Sequence, residues 1–183
     1  MKKLAIGMVA VAVMTMVGFA QQAPLPLGQP APPGTDLKAL GTQITEVIWN
    51  QHRLDRLGEF YAANVVRHVP EFPDPIVGLE ANKGYLSGLF GAFPDSTLEL
   101  PRVVIEGDWA AMMWVWTGTH TGPLPGLPPT GKAVRLVGIS LVHVENGKAV
   151  EIWDFSDQLS LLQQLGVIPP LPPPPPPGSP AKP

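Results

Sequence analysis

Apolar residues recur at three- and four-residue intervals early in the chain: Leu37, Leu40, Ile44, Val47, Ile48, Leu54 and Leu57. That spacing puts them on one stripe of an amphipathic helix. Thr35 or Asp36 supplies its N-cap and Gly58 its end. A short helical stretch at 59–62 leads into a β-like run at 65–68. Pro70, Pro73 and Pro75 then force an irregular crossing, because proline fixes φ and gives no N–H. Residues 79–93 read as the next helix, with Leu86, Leu89, Phe90 and Phe93 on one stripe, and Pro94-Asp95 stops it.

From Thr97 the period changes to two. Leu98, Leu100, Val103 and Ile105 predict a strand, and Pro101 inside it argues for an edge or a bulge. Gly107-Asp108 turns into a long strand at 109–121, and a third strand follows at 132–145. Asn146-Gly147 is a hairpin signal joining it to a fourth at 148–155. Residues 158–165 give a closing helix that ends at Gly166. Helices first and an antiparallel meander afterwards is the α+β pattern.

Two proline-rich stretches bracket this unit. Residues 23–35 hold five prolines and 169–183 hold ten, six of them unbroken from Pro172 to Pro177. Such segments favour extended polyproline II backbone and bury little apolar surface. Residues 21–35 therefore read as a linker, 36–168 as one folded domain and 169–183 as a disordered tail. At the start, Met1-Lys2-Lys3 precedes an uncharged apolar run from Leu4 to Val17 and then Gly18-Phe19-Ala20. That is the order of a secretory signal, so 1–20 is expected to be cleaved after Ala20. The apolar run is shorter than the roughly 20 residues a spanning helix needs. The mature protein is expected to be secreted or periplasmic, with no membrane attachment.

Without Lys2 and Lys3 the twelve basic residues fall to ten against fifteen acidic, a formal charge of −5. No Lys/Arg cluster stands anywhere, so the electrostatic footprint of a nucleic-acid partner is missing. The absence of cysteine removes disulfides, a thiolate nucleophile and sulfur-ligated metals. There is no G-x-S-x-G elbow, phosphate loop, dinucleotide glycine fingerprint or H-E-x-x-H, and the four histidines lack metal-ligand spacing. No metal and no cofactor are expected.

Several strings in order narrow the fold. Phe60-Tyr61, Asn64 to His68, Pro73 to Gly78 and Ala92-Phe93-Pro94-Asp95 come first. Trp114 to Gly122 and Gly126 to Lys132 follow. Asn146-Gly147-Lys148, Glu151-Ile152-Trp153-Asp154 and Leu162 to Gly166 close the series. Together they resemble the SnoaL-like polyketide cyclase, or ester cyclase, group of the nuclear transport factor 2-like superfamily, across the whole folded unit. The resemblance implies a cone-shaped barrel, a curved, mainly antiparallel sheet wrapped around N-terminal helices. It also implies an intramolecular aldol-type cyclisation of a polyketide ester without metal or organic cofactor, using an acidic residue near the end of the last strand. Asp154 stands at that position. Two departures are visible: Ser140 occupies a place where founding cyclases can carry histidine, and the expected export differs from cyclases that work beside intracellular synthases.

Asp154 supports two readings. Held among Trp153, Phe155, Trp114 and Trp116, its carboxyl can be tuned for proton transfer; alternatively it caps the turn that follows, with Ser156 or Asp157. His120 shares a strand face with Met112, Trp114, Trp116 and Gly118, so it either caps an aromatic pocket and bonds a substrate carbonyl, or sits on a rim beside the 122–129 loop. His68 either lines the pocket or bonds backbone near Pro70, while His52 and His143 are read as surface or core residues. Arg135 alternates with Val137 and Ile139, and either pairs with Asp154, binds a carboxylate or is solvated. Trp49, Phe60, Tyr61, Phe90, Trp114 and Trp116 are aromatic candidates for lining a cavity that takes a small apolar molecule. Three functions follow: an acid/base enzyme on a hydrophobic ester or ketone, a non-catalytic binding module, or a scaffold whose sheets pair into a homodimer.

Overall fold

The computed structural model describes residues 36–170. The expected signal at 1–20, the linker and nearly all of the proline-rich tail lie outside the described residues. Among those described, no helix is long and apolar enough to cross a membrane.

Asp36 caps the first helix, α1 (Leu37–Ile44), its carboxylate accepting from the N–H groups of Lys38 and Ala39. The continuous helix expected as far as Gly58 is interrupted. The chain widens into a π-helical turn over Thr45–Asn50 and breaks at His52, whose φ of 54° no right-handed helix can hold. Tertiary contacts override the periodicity here: the Asn50 side-chain Oδ1 accepts from Leu98 N–H, and the His52 ring stacks on Phe90 at 4.1 Å. A 3-10 turn at Leu54–Arg56 and α2 (Leu57–Phe60) follow, and β1 (Tyr61–His68) starts where a helical stretch was expected.

The short strand β2 (Ile76–Val77) emerges from the proline crossing and pairs with β1. Helix α3 (Leu79–Ala92) precedes the meander of β3 (Thr97–Glu106), β4 (Trp109–Thr119), β5 (Ala133–Glu145) and β6 (Lys148–Ser156), and α4 (Gln158–Leu165) closes the fold. The six strands form one open sheet in the order β2-β1-β6-β5-β4-β3. All pairings are antiparallel except β1 with β6, so the last strand returns beside the first.

β3 is an edge strand, and its register slips between Glu99 and Arg102, so Pro101 sits where a missing N–H is tolerated. Asn146 and Gly147 both take positive φ, 49° and 75°, as a tight hairpin of this hand requires. Beyond the Gly138–Ser156 pair β6 stops, and Gln164 of α4 covers the bared edge of β5 with its side-chain amide. It accepts from Arg135 N–H at 2.8 Å and donates to the Arg135 carbonyl at 3.0 Å.

The inner sheet face and the helices enclose the core. Leu37, Ile44 and Ile48 from α1 and its extension meet Leu86 and Phe90 of α3 and Val65, Val142 and Ile152 of the sheet. A second cluster, Phe93, Leu98, Trp116, Leu136 and Leu165, fills the end toward α4. Where β4 ends, Thr121 and Gly122 both donate to the Ala92 carbonyl at the foot of α3.

A Cβ at residue 122 would overlap the Gly91 carbonyl oxygen. Gly122→Ala is therefore expected to destabilise the fold by about 1–3 kcal/mol, the range for forced overpacking, with an unchanged urea m-value in equilibrium unfolding.

Candidate active site

The polar centre is built around a guanidinium that has no access to water. Arg67 lies on β1 between Val65 and Val69, on the parity that faces inward, and is 1% exposed. Its Nε donates to Asn82 Oδ1 at 2.8 Å, one terminal nitrogen donates to the Tyr61 hydroxyl at 2.9 Å, and the other pairs with Asp154 Oδ2. The Tyr61 and Tyr85 rings lie 5.7 Å from its central carbon. Burial pulls the guanidinium down, but the charge of Asp154 and the two phenols outweighs it and holds its pKa above the ordinary value.

Asp154 stands near the end of β6 with Ser140 of β5 directly across the ladder. The Ser140 hydroxyl donates to Asp154 Oδ1 at 2.5 Å and accepts the Trp114 indole N–H at 3.0 Å. One line of bonds thus runs from Trp114 through Ser140 to the carboxylate, and the Arg67 charge meets it from the other side. The Asp154 side chain keeps 15% exposure and lines an internal cavity of about 150 Å³. The turn-capping alternative falls elsewhere: Asp157 caps α4 by accepting from Ser160 N–H.

The cavity lies between the helices and the inner sheet face. Of the candidates from the sequence, Asp154, Trp49, Tyr61, Trp114 and Trp116 line it. The other five sit elsewhere. Arg135 is exposed on the outer face with Val137 and Ile139, on the opposite parity to Leu136, so it does not meet Asp154. His68 is on the outer face of β1, stacked on Trp153 at 3.6 Å and bonded to Glu151 at 3.0 Å. His120 does point inward and is fully buried, but it packs behind Phe93, and its Nδ1 accepts from Thr130 N–H at 3.2 Å. Phe60 and Phe90 belong to the core.

Sequence reasoning missed Arg67, Asn82 and Tyr85. Two of them carried a readable signal. Arg67 holds the apolar parity of its strand, and Asn82 falls in line with Leu86 and Phe90 on the buried stripe of α3; a polar group on an apolar face needs a partner. Tyr85 lines the cavity at its polar end, and burial pushes its phenol up to about 12, so it remains a neutral hydrogen-bond donor. Among the described residues no three His, Cys, Asp or Glu side chains group as metal ligands.

Comparison with known proteins adds a family to this geometry. The family described as SnoaL-like polyketide cyclase matches residues 40–165. The aklanonic acid methyl ester cyclase DnrD of Streptomyces peucetius is 30% identical over 109 residues, 59% of this chain and 72% of that protein. The nogalonic acid methyl ester cyclase of Streptomyces nogalater is 32% identical over 72 residues, 39% of this chain and only 54% of its own length. Among solved structures, IdmH of Streptomyces antibioticus superposes with a TM-score of 0.62 at 29% identity, over 72% of this chain and 99% of that one.

Removing one member of a buried pair strands the other. Arg67→Met is expected to cost about 3–5 kcal/mol in urea unfolding, far more than substitution of an exposed arginine such as Arg53. The tyrosines set the alkaline limit. A phenol raised in the fold above its unfolded value of about 10 contributes stability that is complete below pH 10 and is lost as pH climbs towards 12. Urea stability measured between pH 9 and 12 should fall across that window, and Tyr85→Phe should flatten the fall.

Proposed function

The chain belongs to the SnoaL-like polyketide cyclase family, and from that premise we propose that it closes a ring in an apolar ester or ketone by cofactor-free acid/base chemistry, with Asp154 as the base. The observation that carries this reading is the posture of the carboxylate: Arg67 and Ser140 hold it from behind while it still lines the cavity.

The chemistry asks for one proton shuttle. An Asp154 oxygen takes a proton from a carbon flanked by carbonyl groups, and the C–H electron pair becomes an enolate. That carbon attacks a second carbonyl of the same molecule, forming a C–C bond, and the resulting alkoxide takes the proton back from Asp154. No atom is gained or lost. Arg67 and Ser140 are positioning residues in this scheme: they fix the carboxylate and supply no atom to the product. The Tyr85 hydroxyl has no hydrogen-bond partner among the described residues and lines the cavity, which suits it to donate to the enolate or alkoxide oxygen.

A second reading, a carrier that holds a small apolar molecule unchanged, draws support from Ser140. It stands where the resemblance allows a histidine, and its hydroxyl proton is already committed to Asp154. Turnover separates the two. Aklanonic acid methyl ester, the compound in the name of the relative, is the first substrate to offer, followed by other methyl esters with an acidic methylene. The wild type should convert at least one, and Asp154→Asn should lower kcat by roughly 10²- to 10⁴-fold, the usual contribution of a general base. Full activity in Asp154→Asn would sink the assignment, and binding of every ester with conversion of none would establish the carrier.

A further inference from the structure

The cavity wall carries a second oxygen-bearing side chain on the same strand as Asp154, which the reaction above leaves without a role. Ile152, Asp154 and Ser156 share the inward parity of β6, and all three line the cavity. Ser156 is the last residue of the strand, two positions beyond the carboxylate, which at the rise of a strand separates them by about 7 Å. The Gln158 amide turns back and donates to the Ser156 hydroxyl oxygen at 2.6 Å, and Gln158 lines the cavity beside it.

Helix capping does not account for this pair. α4 begins at Gln158, and its N-cap is Asp157, which accepts from Ser160 N–H. The ladder gives Ser156 a particular setting instead. Its partner across the ladder is Gly138, which is paired in turn with Trp114 on β4. A Cβ at residue 138 would overlap the six-membered ring of Trp114, so the indole lies across the glycine. The indole N–H is bonded to Ser140, which stands in the neighbouring row opposite Asp154. One flat ring therefore spans two rows of the sheet, Met112–Ser140–Asp154 and Trp114–Gly138–Ser156, and each row ends on β6 in an oxygen-bearing side chain.

We propose that Ser156, held by Gln158, is the donor to the carbonyl under attack, and that it fixes which carbonyl of the substrate enters the ring. This deepens the function proposed above and rests on it for the fate of that carbonyl; the spacing of the two side chains does not. At reaction geometry the base oxygen, the carbon it deprotonates, the carbonyl carbon and the donor to the carbonyl oxygen are linked by contacts of about 3 Å each. A bent chain of such contacts bridges the distance from Asp154 to Ser156. As the C–C bond forms, the C=O electron pair moves onto oxygen, and the Ser156 O–H bonds the developing alkoxide until Asp154 returns its proton there. Gln158 supplies no atom: by donating to the Ser156 oxygen it leaves the hydroxyl proton free to be given to a ligand and polarises it. The site selects a flat ring system that lies on Trp114, with an acidic C–H or a hydroxyl at Asp154 and a carbonyl oxygen at Ser156.

The purified protein is titrated by calorimetry with 4-hydroxy-1-tetralone and with 1-tetralol, which share the ring system and the hydroxyl and differ in the ketone. The hydroxyl suits the Asp154 carboxylate, and the ketone, opposite it on the six-membered ring, suits Ser156. The wild type is expected to bind the hydroxyketone about 2- to 10-fold more tightly. Ser156→Ala should abolish that preference, whereas a structural role alone would weaken both ligands alike and keep it. Asp154→Asn should retain it. If Ser156→Ala does not fold, Ser156→Cys, a weaker donor of similar size, should narrow the preference. Equal affinities in the wild type, a preference unchanged in the Ser156 variants, or binding of neither ligand overturns the subsite. On an ester that the wild type converts, Ser156→Ala should lower kcat by about 10²-fold with KM little moved, and an unchanged kcat overturns the catalytic role. If no ester is converted, that role falls with the acid/base reading, and the binding preference still decides the subsite.

Discussion

A guanidinium shut away from water is the constraint on which the inner architecture depends. Arg67 cannot lose its proton at any relevant pH, and an uncompensated charge in an apolar interior costs several kcal/mol even after relaxation. Each of its three nitrogens is met by a side chain from its own strand or from two other elements: Tyr61 at the start of β1, Asn82 on α3 and Asp154 on β6. Asp154 then recruits Ser140 on β5, and Ser140 recruits Trp114 on β4. The planar fork of an arginine suits this task in a way that a lysine ammonium does not, since it reaches several acceptors in fixed directions at once. Packing brings the helices onto the sheet, and the charge decides which side chains may face one another where they meet.

The same arrangement gives the cavity a direction. A guanidinium and two phenols gather around the Asp154 carboxylate, and most of the remaining lining is apolar, leucine and tryptophan above all, with Ser156 and Gln158 among it. A molecule with an oxygen-rich end and an apolar body therefore has one favoured way to lie in it. Asp154 is oriented by Arg67 and Ser140 and lines the cavity on its remaining side. This also explains why the outer-face histidine and arginine have no part in it. On a strand, neighbours point to opposite faces, so His68 and Arg67 lead separate lives although they are adjacent in the chain.

Much of this was legible in the residues. The change from a three-to-four to a two-residue period near Thr97 divides helices from meander, and Asn146-Gly147 and Gly166 mark turns that the backbone confirms with positive φ. Pro101 announced an edge strand and a bulge and received both. What periodicity could not convey is long-range. The break at His52 is imposed by Asn50 and His52 docking on residues 96–98, some 45 positions away, and a stripe of leucines contains no trace of it. The site divided in the same way. Asp154 on β6 and Trp114 and Trp116 on β4 line the cavity as their strand positions suggested, while His120 shares the inward parity but packs behind Phe93, off the cavity wall. Arg135 was left open between a buried partner and a solvated side chain, and with Leu136 buried it lies exposed on the outer face. Arg67 went unremarked although its own alternation with Val65 and Val69 pointed inward, because a strand-borne arginine is usually solvated.

The return of β6 to lie parallel to β1 has a consequence in time as well as in space. Arg67 and Asp154 are separated by 87 residues, and strands so far apart in the chain pair late, since loop closure must precede the contact that rewards it. A nascent chain that has formed α1, α3 and the first hairpin still carries an arginine without its counter-ion and a cavity with one wall missing. The buried ion pair and the closing wall of the cavity therefore form in the same step.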